Sequence, residues 1–266
     1  MRSIRFVLAL VSAATLSACI NSTTLIRVKP DGTGTIEQTT LINTQALKAM
    51  MPGMSQPGKS SNPVNDVDLK RTAERMGPGV RVVSAEPVSD KGFEGVKATF
   101  AFDDINQLQI SQDPDLGAST GMRMGPERKS DNPVKFTLAH QGATSVLTVT
   151  VQDKPASTVK PPDPGKTPDL SDPMMMGMIK SMFQGFKVNI GLEVLGSIVK
   201  TNAEYVSGPR ITLLEMDMGA LLEDEAKFKE IQSKLGPDAS LSQVKPYLKD
   251  LKGIKIDGPV VTVEFR

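Results

Sequence analysis

Apolar and polar residues alternate over much of this chain, and the alternation predicts β-hairpins. It is clearest over 23–42, where Ile26 and Val28 alternate with charged residues before the turn Asp31-Gly32-Thr33-Gly34. A period of two places every second side chain on one face of a strand, and Asp and Gly tolerate the backbone angles of a tight turn. The pattern predicts three hairpins, at 23–42, 80–102 and 134–152.

The same alternation predicts which strand faces are buried. The face of the second hairpin comprises Val96, Ala98, Phe100 and Phe102, and that of the third comprises Val134, Phe136 and Leu138. A further hairpin is predicted from strands at 186–200 and 210–217, and strands at 254–257 and 260–265 are joined by the predicted turn Asp257-Gly258-Pro259. In the last of these, Val261, Val263 and Phe265 share a face.

Helical spacing predicts a smaller number of helices. Leu69, Ala73 and Met76 recur at intervals of three and four residues, after Asn65 as an N-cap and before the stop signal 77–79. Less regular helices are predicted at 43–50, 174–185, 228–235 and 241–251, with Pro246 inside the last, and a single turn capped by Asp103 at 103–108.

Long segments without periodicity separate these elements. Residues 51–64 and 111–133 are predicted as loops, and 153–172 contains five prolines, which makes it a linker or a surface excursion. Hairpins with interspersed helices predict an α+β fold, in which repeated antiparallel β-hairpins carry a few helices packed on one face of the sheet. We expect residues 19–266 to form a single body.

The first eighteen residues have the features of an export signal. Arg2 and Arg5 form a short basic region, and 6–14 is an apolar run that is too short to span a bilayer, which takes about 20 residues. A small residue, Ala18, then precedes Cys19 at the expected cleavage site. We therefore predict that residues 1–18 are removed.

The segment Leu16-Ser17-Ala18-Cys19 resembles the lipobox of bacterial lipoproteins. The resemblance implies cleavage between Ala18 and Cys19, a diacylglyceryl thioether on Cys19 and an acylated amine, with palmitate among the acyl chains. Ile20 stands where Asp would signal retention in the inner membrane, so the pattern implies an outer-membrane protein facing the periplasm if the host is Gram-negative. Two alternatives stay open, a secretory signal that leaves a free thiol and an uncleaved anchor.

The cysteine count and the charge balance sharpen this hypothesis. Cys19 is the only cysteine, so in an oxidising compartment it would be a thiol without an internal partner unless it is capped. With 31 basic and 30 acidic residues, the chain lacks the basic excess of a nucleic-acid-binding or polybasic membrane-binding protein. We expect the acyl chains on Cys19 to be the contact with the membrane.

A second resemblance covers about a third of the chain. The segments LIRVKPDGTGTIEQTTLI at 25–42, IVKTNA at 198–203 and ITLLEMD at 211–217 are similar to parts of uncharacterised envelope lipoproteins, including the LppM-like group. The resemblance implies an α+β body of repeated hairpins and lipid-related binding, and it carries over no catalytic residue.

The residues that could carry chemistry are few. His140 is the only histidine, and nothing near it resembles a nucleophile elbow, so we interpret it as a polar residue at a strand end. One histidine and one cysteine cannot supply a structural zinc site, and no EF-hand spacing is present. We expect neither metal nor cofactor.

The methionine cluster at 174–182 has more than one interpretation. Met174, Met178 and Met182 follow helical spacing, with Met175 beside them, so they form an apolar stripe. Such a stripe suits core packing, an adaptable surface for a lipid or peptide, or, through the soft thioethers, Cu(I). We favour core packing and keep the ligand-facing helix as an alternative.

These observations predict a non-enzymatic, lipid-anchored envelope protein whose body binds or scaffolds a lipid or protein partner at the membrane. The alternative is a carrier that holds a lipid or another apolar ligand in a cavity of the α+β body. An enzyme that uses only carboxylates and serines is a third hypothesis.

Overall fold

A computed structural model describes residues 20–43, 66–90, 92–111, 133–151, 177, 180, 185–224, 226–227, 230, 241–249 and 251–266. In chain order the strands are β1 (Ile20–Val28), β2 (Gly34–Asn43), β3 (Arg81–Asp90), β4 (Phe93–Phe102), β5 (Gln109–Ser111), β6 (Pro133–Gln141), β7 (Thr144–Val151), β8 (Lys187–Val194), β9 (Ile198–Thr201), β10 (Val206–Ser207), β11 (Arg210–Asp217), β12 (Ile254–Ile256) and β13 (Val260–Phe265). The helices are α1 (Asp66–Met76), α2 (Met218–Glu223) and α3 (Leu241–Leu248), with a 3-10 turn at Ile105–Gln107.

The strands form two sheets. The first has eight strands in the order β10-β11-β8-β1-β2-β4-β3, with β12 paired to β11, and the second has five in the order β5-β6-β7-β13-β9. The strands of the four predicted hairpins are present as the antiparallel pairs β1–β2, β3–β4, β6–β7 and β8–β11.

One strand pair differs from the sequence-based prediction of antiparallel pairing. β1 and β8 are parallel, from Asn21 opposite Lys187 to Val28 opposite Val194. The two strands lie far apart in the chain, so no turn constrains their relative direction, whereas a hairpin forces antiparallel pairing. The first sheet is therefore mixed, and β1 lies in its interior between β2 and β8.

The prediction of one continuous strand over 186–200 is wrong. β8 ends at Val194 in the first sheet, and after three residues the chain enters β9 in the second sheet. At the crossing the Leu195 N–H donates to the Val28 carbonyl, and a Cβ on Gly196 would lie 2.5 Å from the Arg266 carbonyl oxygen. Glycine thus allows the close backbone approach at which the chain changes sheets.

The main core contains side chains from both sheets. Phe100 and Phe102 of the first sheet share it with Phe136, Leu147 and Phe265 of the second. The predicted buried faces are confirmed for β4 and β13 and for Val134 and Phe136 of β6, while Leu138 is half-buried. The first sheet thus shares its core with the second sheet, an arrangement that the sequence did not predict.

Helix α1 confirms the prediction from helical spacing. Leu69, Ala73 and Met76 are buried in the main core, and the helix contacts β3 and β5. The predicted cap of the following turn is wrong by one residue: Asp104 accepts a hydrogen bond from the Asn106 N–H, while Asp103 pairs with Arg81 at 2.7 Å.

A smaller core lies beside β11. It comprises Leu221, Leu248, Ile254 and Ile256, contributed by α2, α3 and β12. Pro246 lies inside α3, as the sequence predicted, and Leu251 follows the end of that helix. Asn43, predicted to start a helix, is the last residue of β2.

Several predictions fall outside the described residues. These are Asn65, residues 44–50, the loops at 51–64 and 112–132, the Pro-rich segment 153–172 and most of the helix at 228–235.

Candidate functional site

The predicted lipid attachment point lies at the edge of the described chain. Ala18 and Cys19 are outside the described residues, and Ile20 is the first residue that the structure describes. Ile20 is already part of β1, opposite Ile42, with 2% of its surface exposed. The residue that directly follows Cys19 in the chain is therefore part of a paired strand.

β1 is held along its whole length. On one side it pairs with β2 from Ile20 to Val28, and on the other with β8 from Asn21 to Val28. Apolar Ile26 and Val28 bury one face of the strand in the main core. On the opposite face Arg27 lies 3.6 Å from Glu37 and 3.5 Å from Glu193, so a cation on β1 bridges carboxylates of both neighbouring strands.

The parallel pairing brings the start of β8 to the same end of the sheet as the start of β1. Lys187 lies opposite Asn21 and forms an ion pair with Asp217 at 2.7 Å. Just before β8, Gly185 has φ +93°, and a Cβ there would lie 3.0 Å from the Phe93 ring.

The Met-bearing helix is described only in part. Met174, Met175, Met178 and Met182 lie outside the described residues. Within the predicted helix, Gly177 and Lys180 are helical, and Gly185 forms a turn where the sequence predicted the helix to end. Whether the methionines face a core, a ligand or a metal stays a prediction.

His140 lies at the end of β6, as predicted. Its Nδ1 is 3.1 Å from the Ser145 hydroxyl, which in turn donates to the Pro30 carbonyl at 2.9 Å. With the Ser145 proton donated to that carbonyl, the contact with His140 is a hydrogen bond in the imidazole tautomer that carries its proton on Nδ1. The contacts join the β6–β7 hairpin to the β1–β2 turn.

A polar cluster surrounds Asp257, for which the sequence pattern predicted only a place in a turn. Asp257 is 6% exposed, and its carboxylate accepts hydrogen bonds from the Glu204 and Gly258 N–H groups. Burial raises the pKa of Asp257, and these hydrogen bonds oppose the shift. The hydrogen bond from Lys245 lowers the pKa of Glu204.

This cluster joins α3 to the crossings between the two sheets. Asp257 follows β12 of the first sheet and precedes β13 of the second, while Glu204 lies between β9 and β10. The sequence indicated only the turn Asp257-Gly258-Pro259. Glu204 is 53 residues from Asp257 and 41 residues from Lys245, so no local pattern connects the three.

Within the described part of the chain, no group of three or more His, Cys, Asp or Glu side chains could hold a metal ion. Among the same residues, no helix is both long and apolar enough to cross a membrane.

Comparison with known proteins gives one distant structural neighbour to report. No protein-family model matches the chain, and no curated protein matches it. The NMR structure of the folded domain of LppM from Mycobacterium tuberculosis is similar, with 11% identity, a TM-score of 0.36, and coverage of 93% of this chain and 90% of that one. At this TM-score the likeness supports no argument about function.

Proposed function

We propose that this protein is a non-enzymatic, lipid-anchored protein of a bacterial envelope, and that its β-rich body binds or scaffolds a partner at the membrane surface. Cys19 would carry the acyl chains, and cleavage would occur between Ala18 and Cys19. If the host is Gram-negative, the protein would lie on the periplasmic side of the outer membrane.

The observation that carries the proposal is the position of β1 relative to Cys19. The lipobox-like segment ends at Cys19, and the next residue, Ile20, already belongs to β1, so an anchor on Cys19 would lie directly beside a strand of the body. Removal of residues 1–18 would leave every described strand intact. Two or more acyl chains would also make the attachment persistent, because one chain holds a protein only reversibly.

The contacts of Ser145 argue against a catalytic His140–Ser145 pair and so support a non-enzymatic role. Ser145 is buried, and its hydroxyl donates to a backbone carbonyl, which supports a role in holding two turns together.

The test is the variant Cys19→Ser, expressed with its signal in a Gram-negative host. We expect the natural protein to sediment with membranes and its N-terminal peptide to carry a diacylglyceryl mass, and we expect the variant to lose both while keeping its circular-dichroism spectrum. Ser17→Ala, which keeps Cys19 and a small residue beside it, is the matched control and should stay lipidated. A Cys19→Ser variant that remains in the membrane fraction would refute the anchor.

The carrier is a second candidate, supported by the unequal size of the sheets. Eight strands face five, and the buried residues Ile20 and Ile42 of the larger sheet belong to neither core formed by the described residues. The Cys19→Ser protein, purified without its anchor, separates the two candidates by native mass spectrometry. A co-purifying lipid would favour the carrier, and an empty protein would favour the binding or scaffolding role.

A further inference from the structure

The distance between the anchor and the fold limits how the body can lie on a membrane. Ile20 follows Cys19 by one peptide bond, so their Cα atoms are about 3.8 Å apart. Ile20 is paired in the sheet and buried. No flexible residues therefore separate a lipid on Cys19 from an ordered strand.

β1 is also unable to bend away from the rest of the body. Strands flank it on both sides, and its side chains enter the main core. Its backbone hydrogen bonds would have to break before the strand could swivel about the anchor. The direction of β1 therefore fixes the direction of the whole first sheet.

The strand register defines which residues lie beside the anchor. Ile20 is opposite Ile42, which is opposite Glu94, which is opposite Ser89. Asn21, Lys187 and Asp217 form the adjacent row on the other side of β1. We call these two rows the anchor end of the sheet.

The opposite end of the sheet lies at the other end of β1. There Val28 is opposite Gly34 and Val194, and exposed Lys29 begins the turn to β2. Eight residue steps at about 3.3 Å each separate Ile20 from Val28, so the two ends are about 26 Å apart.

The anchor end has the chemistry of a surface that contacts lipid headgroups. Ser89, Glu94 and Lys187 are exposed, and Lys187 is paired with Asp217. The two rows contain none of the exposed large apolar side chains of the described residues, which are Val67, Val83, Leu195, Val199, Val206 and Val260. Charged and hydroxyl groups favour the polar layer over the hydrocarbon core, so the acyl chains would supply the insertion.

We infer that the anchor end of the first sheet, the rows through Ser89 and Lys187, is a membrane-contacting surface that rests on the polar headgroups of the lipid layer. The body then stands with its opposite end, at Lys29, directed away from the bilayer. This inference rests on the proposed lipid anchor at Cys19 and deepens it by specifying the orientation.

The test uses the full-length lipidated protein in phosphatidylcholine vesicles that contain a lipid with a nitroxide headgroup. Because a thioether removes the reactivity of Cys19, a single new thiol can carry a fluorophore. Ser89→Cys places it at the anchor end and Lys29→Cys at the opposite end, both at exposed positions of the same sheet. We expect the nitroxide lipid to quench the fluorophore at position 89 and to leave the fluorophore at position 29 unquenched.

A linker variant provides the matched control. About twelve Gly and Ser residues inserted between Cys19 and Ile20 would span about 19 Å on average. A linker of that length allows the body to reorient relative to the membrane. We therefore expect the difference in fluorescence quenching between positions 89 and 29 to disappear.

The outcomes separate the two hypotheses. Equal quenching at positions 89 and 29 in membrane-bound protein without the linker would overturn the orientation and leave the anchor intact. Stronger quenching at position 29 would overturn the orientation as well. Protein that fails to associate with the vesicles would refute the anchor itself, and the orientation with it.

Discussion

At the scale of single residues, a turn depends on glycine at particular positions, and a polar cluster depends on partners that are distant in the chain. The predicted β1–β2 turn is present, with Gly32 at φ +86°, and Gly34 allows the Arg27 carbonyl to come within 2.0 Å of where a Cβ would lie. A positive φ and a close backbone approach within a turn involve residues that are near in the chain, so glycine in the sequence indicates them. Asp257 is different, because its partner Glu204 is distant in the chain and only the fold brings the two together.

The raised pKa of Asp257 predicts a pH-dependent contribution to stability. Burial disfavours the charged carboxylate in the folded state, so the folded pKa lies above the unfolded value, near 3.8. The contribution of Asp257 is therefore fullest below pH 3.8 and is lost as pH rises through the folded pKa.

The variant Asp257→Asn, which cannot ionise, should escape this loss. We expect its free energy of unfolding, relative to the natural protein, to increase as pH rises from 3.8 toward neutrality. Urea unfolding at a series of pH values measures the difference. A constant difference over that range would mean that Asp257 ionises equally in the folded and unfolded chain.

At the scale of elements, periodicity identified strands and helices more reliably than it identified their limits. α1 has its predicted apolar face, because the spacing of Leu69, Ala73 and Met76 suits a helix and no other element. The 186–200 segment was predicted as one strand because its residues are strand formers throughout. The break at Gly196 depends on the approach of the Arg266 carbonyl, which is 70 residues away in the sequence and is invisible to a local pattern.

The two sides of α1 should respond differently to truncation. Leu69 is 3% exposed in the main core, so Leu69→Ala should lower the free energy of unfolding by about 2–5 kcal/mol. Val67 on the same helix is 62% exposed, and Val67→Ala should change it by at most about 0.5 kcal/mol. Urea titration of both variants checks this, and similar losses would contradict the packing of α1.

At the scale of the whole molecule, the sequence indicated strands that pair antiparallel, while the structure contains a mixed sheet and a second sheet that shares its core. Alternation reports that one face of a strand is buried, but it does not report what covers that face. The same strand pattern is compatible with a covering helix or a covering sheet. Likewise, the residue pattern of β1 and β8 does not indicate whether the two strands pair parallel or antiparallel.

The parallel register predicts a specific cross-link. Asn21 lies opposite Lys187, so the double variant Asn21→Cys and Lys187→Cys in the Cys19→Ser background should form a disulfide under mild oxidation. The control pair Asn21→Cys and Glu193→Cys joins opposite ends of the two strands and should not. Electrophoretic mobility without reductant measures both, and cross-linking of the control pair alone would indicate antiparallel strands.

The sequence by itself determined most of the strands, helix α1, the buried faces of α1, β4 and β13, and the lipobox-like segment, because each depends on residues that are neighbours in the chain. Only the tertiary structure decided that β1 lies inside a mixed sheet, that β8 starts beside it and that the chain crosses between two sheets. These features depend on contacts between distant residues. The proximity of Cys19 to a paired strand combines both kinds of information, and from it follows the proposed orientation on the membrane.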